Sequence, residues 1–292
     1  MIKILITGSG SYIGTSVETY LAQWPDQYQV DTLDMLDENW KHADFSSYDS
    51  VFHVAGIAHS DGGKLTPERE QLYYRVNRDL AVETAAHAKA QGVGQFIFMS
   101  SAIVYGSSAP LGKSKHITRD TPVDPANAYG RSKVQAEEGL RMLQGDDFRV
   151  VILRPPMIYG PGCRGNYPTL AKLALTLPVF PRVENQRSML YVRNLAEFVR
   201  LMIENREQGT FWPQNGEYVS TTDLARRIAA AHGKDLKTLP GVTWALKLLG
   251  CCTGLVNKAF GSLSYDQSLS CYREEYRLTD LEKSIMETEE AL

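Results

Sequence analysis

Cysteine is scarce: four in 292 residues, at 163, 251, 252 and 271, without the paired C-x-x-C spacing of a zinc site, so no metal is expected. A chain this long, with an apolar fraction of 43%, builds a core that needs no disulfide staples. The thiols therefore read as reduced, and the expected compartment is the cytoplasm. Net charge is also lacking. The 31 Lys and Arg nearly balance 34 Asp and Glu, which leaves −3; that gives no footprint for nucleic acid and no polybasic run to hold an anionic membrane. "MIKILITG" enters a strand pattern at once, without the basic region, apolar stretch and cleavage site of an export signal. Nor is there an unbroken apolar run of membrane-spanning length. The segment that comes nearest, 241–261, is interrupted by Lys247, Gly250, Gly254, Asn257 and Lys258 and reads as one or two helices packed on the protein. No internal repeat is evident. A small-molecule partner is the class that remains.

What is present is a regular alternation. Short apolar runs at 2–7, 28–33, 50–55, 95–100 and 149–154 read as buried strands. Helical patterns at 12–24, 67–91 and 129–143 lie between them. Strand, helix, strand in this order predicts an α/β fold with a doubly wound parallel sheet, whose ligands bind at the carboxyl ends of the strands. The second half is looser. A Pro- and Gly-rich stretch after Arg154 precedes a helical piece at 169–177, a strand-like "SMLYV" at 188–192 and a helix at 194–205. Ser220 and Asp223 form a capping-box start for a helix that stops at Gly233. The expected division is 1–155 plus 186–207, with the 188–205 unit returning to the main sheet, against a smaller substrate-binding part of 156–185 plus 208–292.

"ILITGSGSYIG" places Gly8, Gly10 and Gly14 between the first strand and the first helix. Glycines there let backbone approach a pyrophosphate, whose charge suits the free N–H groups and the positive end of that helix. Asp34 ends the second strand twenty residues past Gly14, where a carboxylate binds adenosine ribose hydroxyls and repels a 2′-phosphate. This pattern points to NAD rather than NADP. Tyr129 and Lys133 stand one helical turn apart, a pair expected about once by chance in a chain this rich in both residues, and so uninformative without its surroundings.

The surroundings carry a resemblance. The turn Thr7 to Gly14, "HVAG" (53–56), "VN" (76–77), "SSAIVYG" (100–106), "YGRSK" (129–133) and "RPPMIYGPG" (154–162) occur in the order and spacing of the extended short-chain dehydrogenase/reductases. The chain most resembles their NAD-dependent nucleotide-sugar epimerase/dehydratase group. The likeness is close over the first 200 residues and loose beyond.

The resemblance implies a Rossmann-type domain and a set of site residues. Tyr129 would be the acid/base, Lys133 would lower its pKa and hold the nicotinamide ribose, and Ser101 would bond the reacting hydroxyl. A phenol that titrates at about 10 in water needs roughly 4 kcal/mol of differential stabilisation to act as a base near pH 7. Ser11, Tyr12 and Ile13 would join the three glycines at the cofactor. Asp44 and Phe45 would lie at the adenine, with Ala55, Gly56, Asn77 and Pro156 along the rest of it. Ile103, Met157, Asn166 and Arg187 would face the substrate, Arg187 at its diphosphate.

Departures from the family pattern are Ser11 for the middle glycine of the fingerprint, Met157 for an Asn, and Ile103 for a Thr. The second phosphate-binding arginine lacks a clear match, with Lys258 only a candidate. The Asp-Glu pair of the dehydratases is missing after Ser101, which argues against water elimination. The leading expectation is a UDP-hexose 4-epimerase, on glucose/galactose or their N-acetyl forms, acting through a 4-keto sugar as a homodimer. Its rivals are a 4-keto nucleotide-sugar reductase on the same scaffold and, more remotely, a non-catalytic NAD-binding protein.

Overall fold

A computed structural model describes residues 1–36, 38–58, 66–241 and 259–291. The chain divides into two compact units. One comprises Met1–Gly106, Pro122–Pro155 and Leu195–Pro213; the other Ser107–Thr121, Pro156–Asn194 and Gln214–Leu292. These differ from the expected segments at 107–121 and 186–194, which join the second unit, and at 208–213, which join the first.

The first unit is built on a six-stranded sheet in the order Gly209–Phe211, Arg149–Leu153, Gln95–Met99, Ser50–His53, Ile2–Thr7 and Tyr28–Leu33. Every neighbouring pair is parallel, as the βαβ alternation predicts. Buried side chains cover both faces. On one, Leu5, Val51, Phe96, Phe98, Val150 and Ile152 meet the alanines of helix Leu80–Ala90 and Ala136 and Leu140 of helix Ala128–Leu143. Small residues let these two helices close up: a Cβ on Gly139 would stand 2.7 Å from Val82 Cγ2. Helix Tyr12–Leu21 is tied to helix Val192–Glu204 by Tyr20, whose hydroxyl donates to Glu197 Oε2 at 3.0 Å.

Two expectations are corrected here. The apolar residues at 188–192 form a strand, Met189–Tyr191, but it pairs with Met157–Tyr159 in a separate two-stranded sheet and does not return to the main one. The sixth main-sheet strand is Gly209–Phe211. The helix expected over 67–91 is interrupted: Pro67–Tyr74 and Leu80–Ala90 are joined by a π-helical turn, Arg75–Asp79, which carries Asn77. Such single wide turns often occur where a side chain must be re-aimed at a site.

In the second unit, Val179–Pro181 pairs with Lys237–Leu239 and His116–Ile117 with Ser264–Tyr265. Helices Asn166–Thr176, Thr221–Ala231 and Leu281–Glu289 complete it. Ser220 caps Thr221–Ala231, its Oγ accepting from Asp223 N–H at 2.9 Å. No helix among the described residues is long and apolar enough to cross a membrane. Most of the apolar 241–261 stretch, with Lys258, Cys251 and Cys252, lies outside them.

Candidate active site

The turn after the first strand is shaped by two contacts. Gly8 and Ser9 N–H both donate to Leu33 O, at 2.9 and 3.1 Å. Gly8 has φ +113°, and a Cβ on it would stand 2.7 Å from Ala55 N, so only glycine lets the turn lie this close to the end of strand Ser50–His53. Ser11 is the N-cap of helix Tyr12–Leu21, with φ −71° and ψ 144°, and its Oγ accepts from Gly14 N–H at 3.2 Å. An extended residue needs no glycine, so the serine fits and supplies the helix with its cap. Tyr12 and Ile13 form the first helical turn, both partly buried.

Asp34 is exposed just past its strand, with Oδ1 accepting from Leu36 N–H at 2.9 Å. Asp44 is exposed too, and the Ser46 side chain and backbone N–H hold its carboxyl below the usual range. Phe45 is placed differently. Its ring is fully buried, edge-on to His87 at 4.8 Å, and its N–H donates to Gln91 Oε1 at 2.5 Å. The ring is a core side chain and is not available to an adenine.

Asn77 is fully buried and spends its amide on positioning. Its Oδ1 accepts from Ile57 N–H at 2.9 Å, and Nδ2 donates to Ile57 O at 3.0 Å and Ser132 Oγ at 3.2 Å. The Ser132 hydroxyl donates in turn to Tyr129 O at 2.8 Å. Asn77 thus joins the loop after "HVAG" to the helix carrying Tyr129. Gly56 lies against this pair; a Cβ there would be 2.9 Å from Asn77 Oδ1 and 3.5 Å from Lys133 Nζ.

Tyr129, Lys133 and Glu137 share one face of helix Ala128–Leu143. Asn127 caps its start, accepting from Gly130 N–H at 2.8 Å. Burial pushes the Tyr129 phenol up to about 12, against the neighbouring Ser101 side chain, which pulls it down. Lys133 Nζ, buried, donates to Met99 O at 2.8 Å and lies 4.5 Å from the centre of the Phe98 ring. Burial pulls its ammonium down to about 8, against the attraction of Glu137. The side chain that acts on the phenol is therefore Ser101, while the lysine is bonded to the strand end. His53 is also buried here; burial and the charge of Lys133 bring it down to about 3, so it stays neutral.

The two serines at the end of strand Gln95–Met99 differ in role. Ser101 Oγ accepts from Ile103 N–H at 3.3 Å and lies beside Tyr129, whereas Ser100 Oγ donates to Glu137 Oε1 at 2.5 Å. Glu137 is fully buried and held on both oxygens by Arg154, at 3.0 Å from Nε and 2.5 Å from Nη2, with Arg141 Nη2 at 2.9 Å. Arg154 Nη1 and Trp212 Nε1 both donate to Tyr105 OH, each at 2.7 Å. None of Ser100, Glu137, Tyr105 or Trp212 is singled out by the sequence. The spacing Tyr129, Lys133, Glu137, two successive steps of one helical turn, is the signal that finds Glu137.

Pro156, Met157, Asn166 and Arg187 belong to the second unit. Pro156 is buried, Met157 is partly buried in its strand, and Asn166 is exposed as the first residue of Asn166–Thr176. Arg187 Nη1 donates to Ala259 O at 2.8 Å, and burial lowers the guanidinium pKa. Ile103, in the first unit, is partly exposed in the short helix Ala102–Tyr105, with its N–H on Ser101 Oγ at 3.3 Å. The second unit also has a cavity of about 1080 Å³ whose lining includes Lys113, Arg182, Arg226, Glu184 and Asp223, but not Met157, Asn166 or Arg187.

Residues 4–212 match the model of the NAD dependent epimerase/dehydratase family. The chain belongs to this family. Among curated relatives, it is 32% identical to a UDP-glucose 4-epimerase of Vibrio cholerae over 291 residues, covering 91% of this chain and 88% of that one. It is 30% identical to the N-acetyl-alpha-D-glucosaminyl-diphospho-ditrans,octacis-undecaprenol 4-epimerase of Escherichia coli O157:H7, over 89% of this chain and 81% of that one. Among solved structures, the UDP-glucuronic acid 4-epimerase of Bacillus cereus in complex with NAD shares the fold, with a TM-score of 0.75 at 17% identity and 99% and 98% coverage.

The family is NAD-dependent, and the residues present fit that group. The Gly8 turn leaves bare backbone at the strand end, a Cβ on Gly10 would meet nothing within 4 Å, and helix Tyr12–Leu21 turns its amino end to this turn.

Proposed function

We propose that this protein is an NAD-dependent UDP-hexose 4-epimerase, with Tyr129 as acid/base, Ser101 on the reacting hydroxyl and Lys133 beside them. The observation that carries this reading is Lys133 fixed on Met99 O at the carboxyl end of strand Gln95–Met99, one turn along the helix from Tyr129, with Ser101 beside the phenol. A phenol held near 12 is the wrong protonation state for a base at neutral pH. NAD, when bound, supplies a hydride acceptor and a positive charge. Ser101 already opposes the effect of burial on the phenol, and Lys133, with a pKa of about 8, is mostly cationic at pH 7. Tyr129 Oη receives the proton of the sugar 4-hydroxyl and returns it after the 4-keto sugar has turned over. Ser101 holds that oxygen in line during both transfers.

Arg187 is proposed for the diphosphate, with Asn166 and Met157 lining the sugar side, and Ala55, Gly56 and Pro156 along the cofactor. At the other end, Asp34 accepts from the adenosine ribose. Asp34→Ala removes a charge-assisted bond of about 1.5–3 kcal/mol, so NAD affinity of the stripped protein falls roughly ten- to hundredfold while affinity for NADP does not fall. Calorimetric titration reads both; an unchanged NAD dissociation constant would take Asp34 out of the site.

The deciding experiment incubates purified protein, without added cofactor, with UDP-glucose, UDP-galactose and their N-acetyl counterparts, followed by proton NMR of the anomeric region. Interconversion within either pair supports an epimerase that regenerates its own cofactor. Turnover that requires added reduced cofactor and a keto sugar identifies the reductase instead. The relative from Escherichia coli O157:H7 supports a second carrier for the same chemistry, a hexosamine on a polyprenyl diphosphate. It becomes the reading if that compound alone turns over. A homodimer through helices Leu80–Ala90 and Ala128–Leu143 belongs to the same proposal, and a monomer mass by light scattering would remove it.

A further inference from the structure

We propose that Ser100 and Glu137 are positioning residues: the Ser100–Glu137 bond, beside the Met99–Lys133 bond, completes a two-point clamp that fixes the orientation of Ser101 toward Tyr129. The inference rests on the epimerase reading and adds two residues to it.

Two consecutive residues at the end of strand Gln95–Met99 are each held by a different residue of one helix face. Met99 O accepts from Lys133 Nζ at 2.8 Å, Ser100 Oγ donates to Glu137 Oε1 at 2.5 Å, and Ser101 follows beside Tyr129. The holding residues are spaced four apart, so they form one row along the helix. The backbone is pinned from the neighbouring strand as well: Ser100 N–H donates to Leu153 O at 2.8 Å and Ala102 N–H to Pro155 O at 2.9 Å. The side-chain clamp ties this segment to the helix that bears the acid/base.

Glu137 suits the task because it is immobile. Arg154 grips both its oxygens, Arg141 adds a bond at its rim, and Arg154 is itself fixed on Tyr105. A carboxylate so fixed gives Ser100 a short, charge-assisted bond and allows its hydroxyl one rotamer. Ser101 follows with φ −164° and ψ 157°, fully extended, so its side chain projects opposite to that of Ser100. Turning Ser100 into Glu137 therefore turns Ser101 out of the core and onto the phenol. The requirement for such orientation is strict, because displacement of a reacting group by about 1 Å costs about a hundredfold in rate.

The test is a double-mutant cycle on the full-length protein carrying its cofactor, assayed with whichever sugar pair turns over in the NMR experiment. Ser101→Ala is expected to lower kcat about hundredfold, the loss of one transition-state hydrogen bond. Ser100→Ala is expected to lower kcat about tenfold, with KM within twofold and bound NAD unchanged, and to add nothing in the Ser101→Ala background. The alkaline shift of the kcat–pH limb caused by Ser101→Ala should appear in smaller degree with Ser100→Ala, since both disturb the Ser101 side chain that lowers the Tyr129 pKa. Ser100→Cys, which keeps a side-chain atom of similar size without a strong donor, serves if the alanine variant fails to fold. A wild-type kcat in the Ser100 variants, or losses that multiply with those of Ser101→Ala, overturns the clamp. A wild-type kcat in Ser101→Ala itself overturns the epimerase site, which is a different failure.

Discussion

Tyr129→Phe lowers kcat by about 10²–10⁴-fold and leaves the cofactor bound. That range is the usual contribution of one positioned proton-transfer group, and here the phenol oxygen is the only atom the substitution removes. The ring keeps its place, 6.0 Å from Tyr73, and the helix keeps its cap on Asn127 and its anchor at Lys133. Loss of rate should thus come without loss of NAD, read by absorbance of the purified protein and by cofactor titration. The pH profile is a second check. In the wild-type protein, activity rises with pH through the pKa of the phenol, because the deprotonated form is the base. This limb is absent from whatever activity the phenylalanine variant retains. Turnover within tenfold of wild type would mean that another group moves the proton.

Glu137→Ala destabilises the first unit by about 3–5 kcal/mol, the range for breaking a buried ion pair from one side. The Arg154 side chain is 9% exposed and that of Glu137 1%, so water cannot take the place of the lost carboxylate. Ser100 loses its acceptor in the same step. The cost lies mainly in the guanidinium left without a counter-charge. The double replacement Glu137→Met with Arg154→Leu should accordingly recover at least half of the loss, since desolvation of both charges is then avoided. Urea unfolding followed by tryptophan fluorescence reports on this directly, because Trp212 bonds Tyr105 in the same network. A loss below about 1 kcal/mol for the single variant would show that Arg154 reaches solvent once Glu137 is gone.

Sequence reasoning reached the parts of the site whose partners are close in the chain. The Gly8 turn and the Tyr129/Lys133 pair depend on spacings of a few residues, and the five strand positions depend on apolar runs bounded by helices. The buried network does not have that property. Ser100 and Glu137 are 37 residues apart, and Tyr105 and Trp212 are 107 apart. Only the closed sheet brings them together. Nothing local distinguishes Ser100 from Ser101 either; their division of labour follows from strand alternation once the helix is in place. The strand Met189–Tyr191 was legible as a strand but not by its partner, because three apolar residues carry no information on which sheet they join. Gly209–Phe211 is too short to show a period at all. Phe45 follows a polar stretch and is placed at the adenine by the resemblance, yet its ring fills the core beside His87. The π-helical turn at Arg75–Asp79 left no compositional trace, since one extra residue in a helical turn does not change which residue types favour it.

The helix cap at Ser11 has an evolutionary corollary. A methyl group on residue 14 would lie 2.6 Å from Ser11 Oγ, against 3.2 Å from the nearest atoms of Ile6 and Val54. With a hydroxyl at position 11, alanine at 14 needs the serine side chain to turn away and give up its cap, so the two positions are coupled: replacement of Ser11 removes the nearest obstacle at 14 and leaves the 3.2 Å contacts with Ile6 and Val54 to be relaxed.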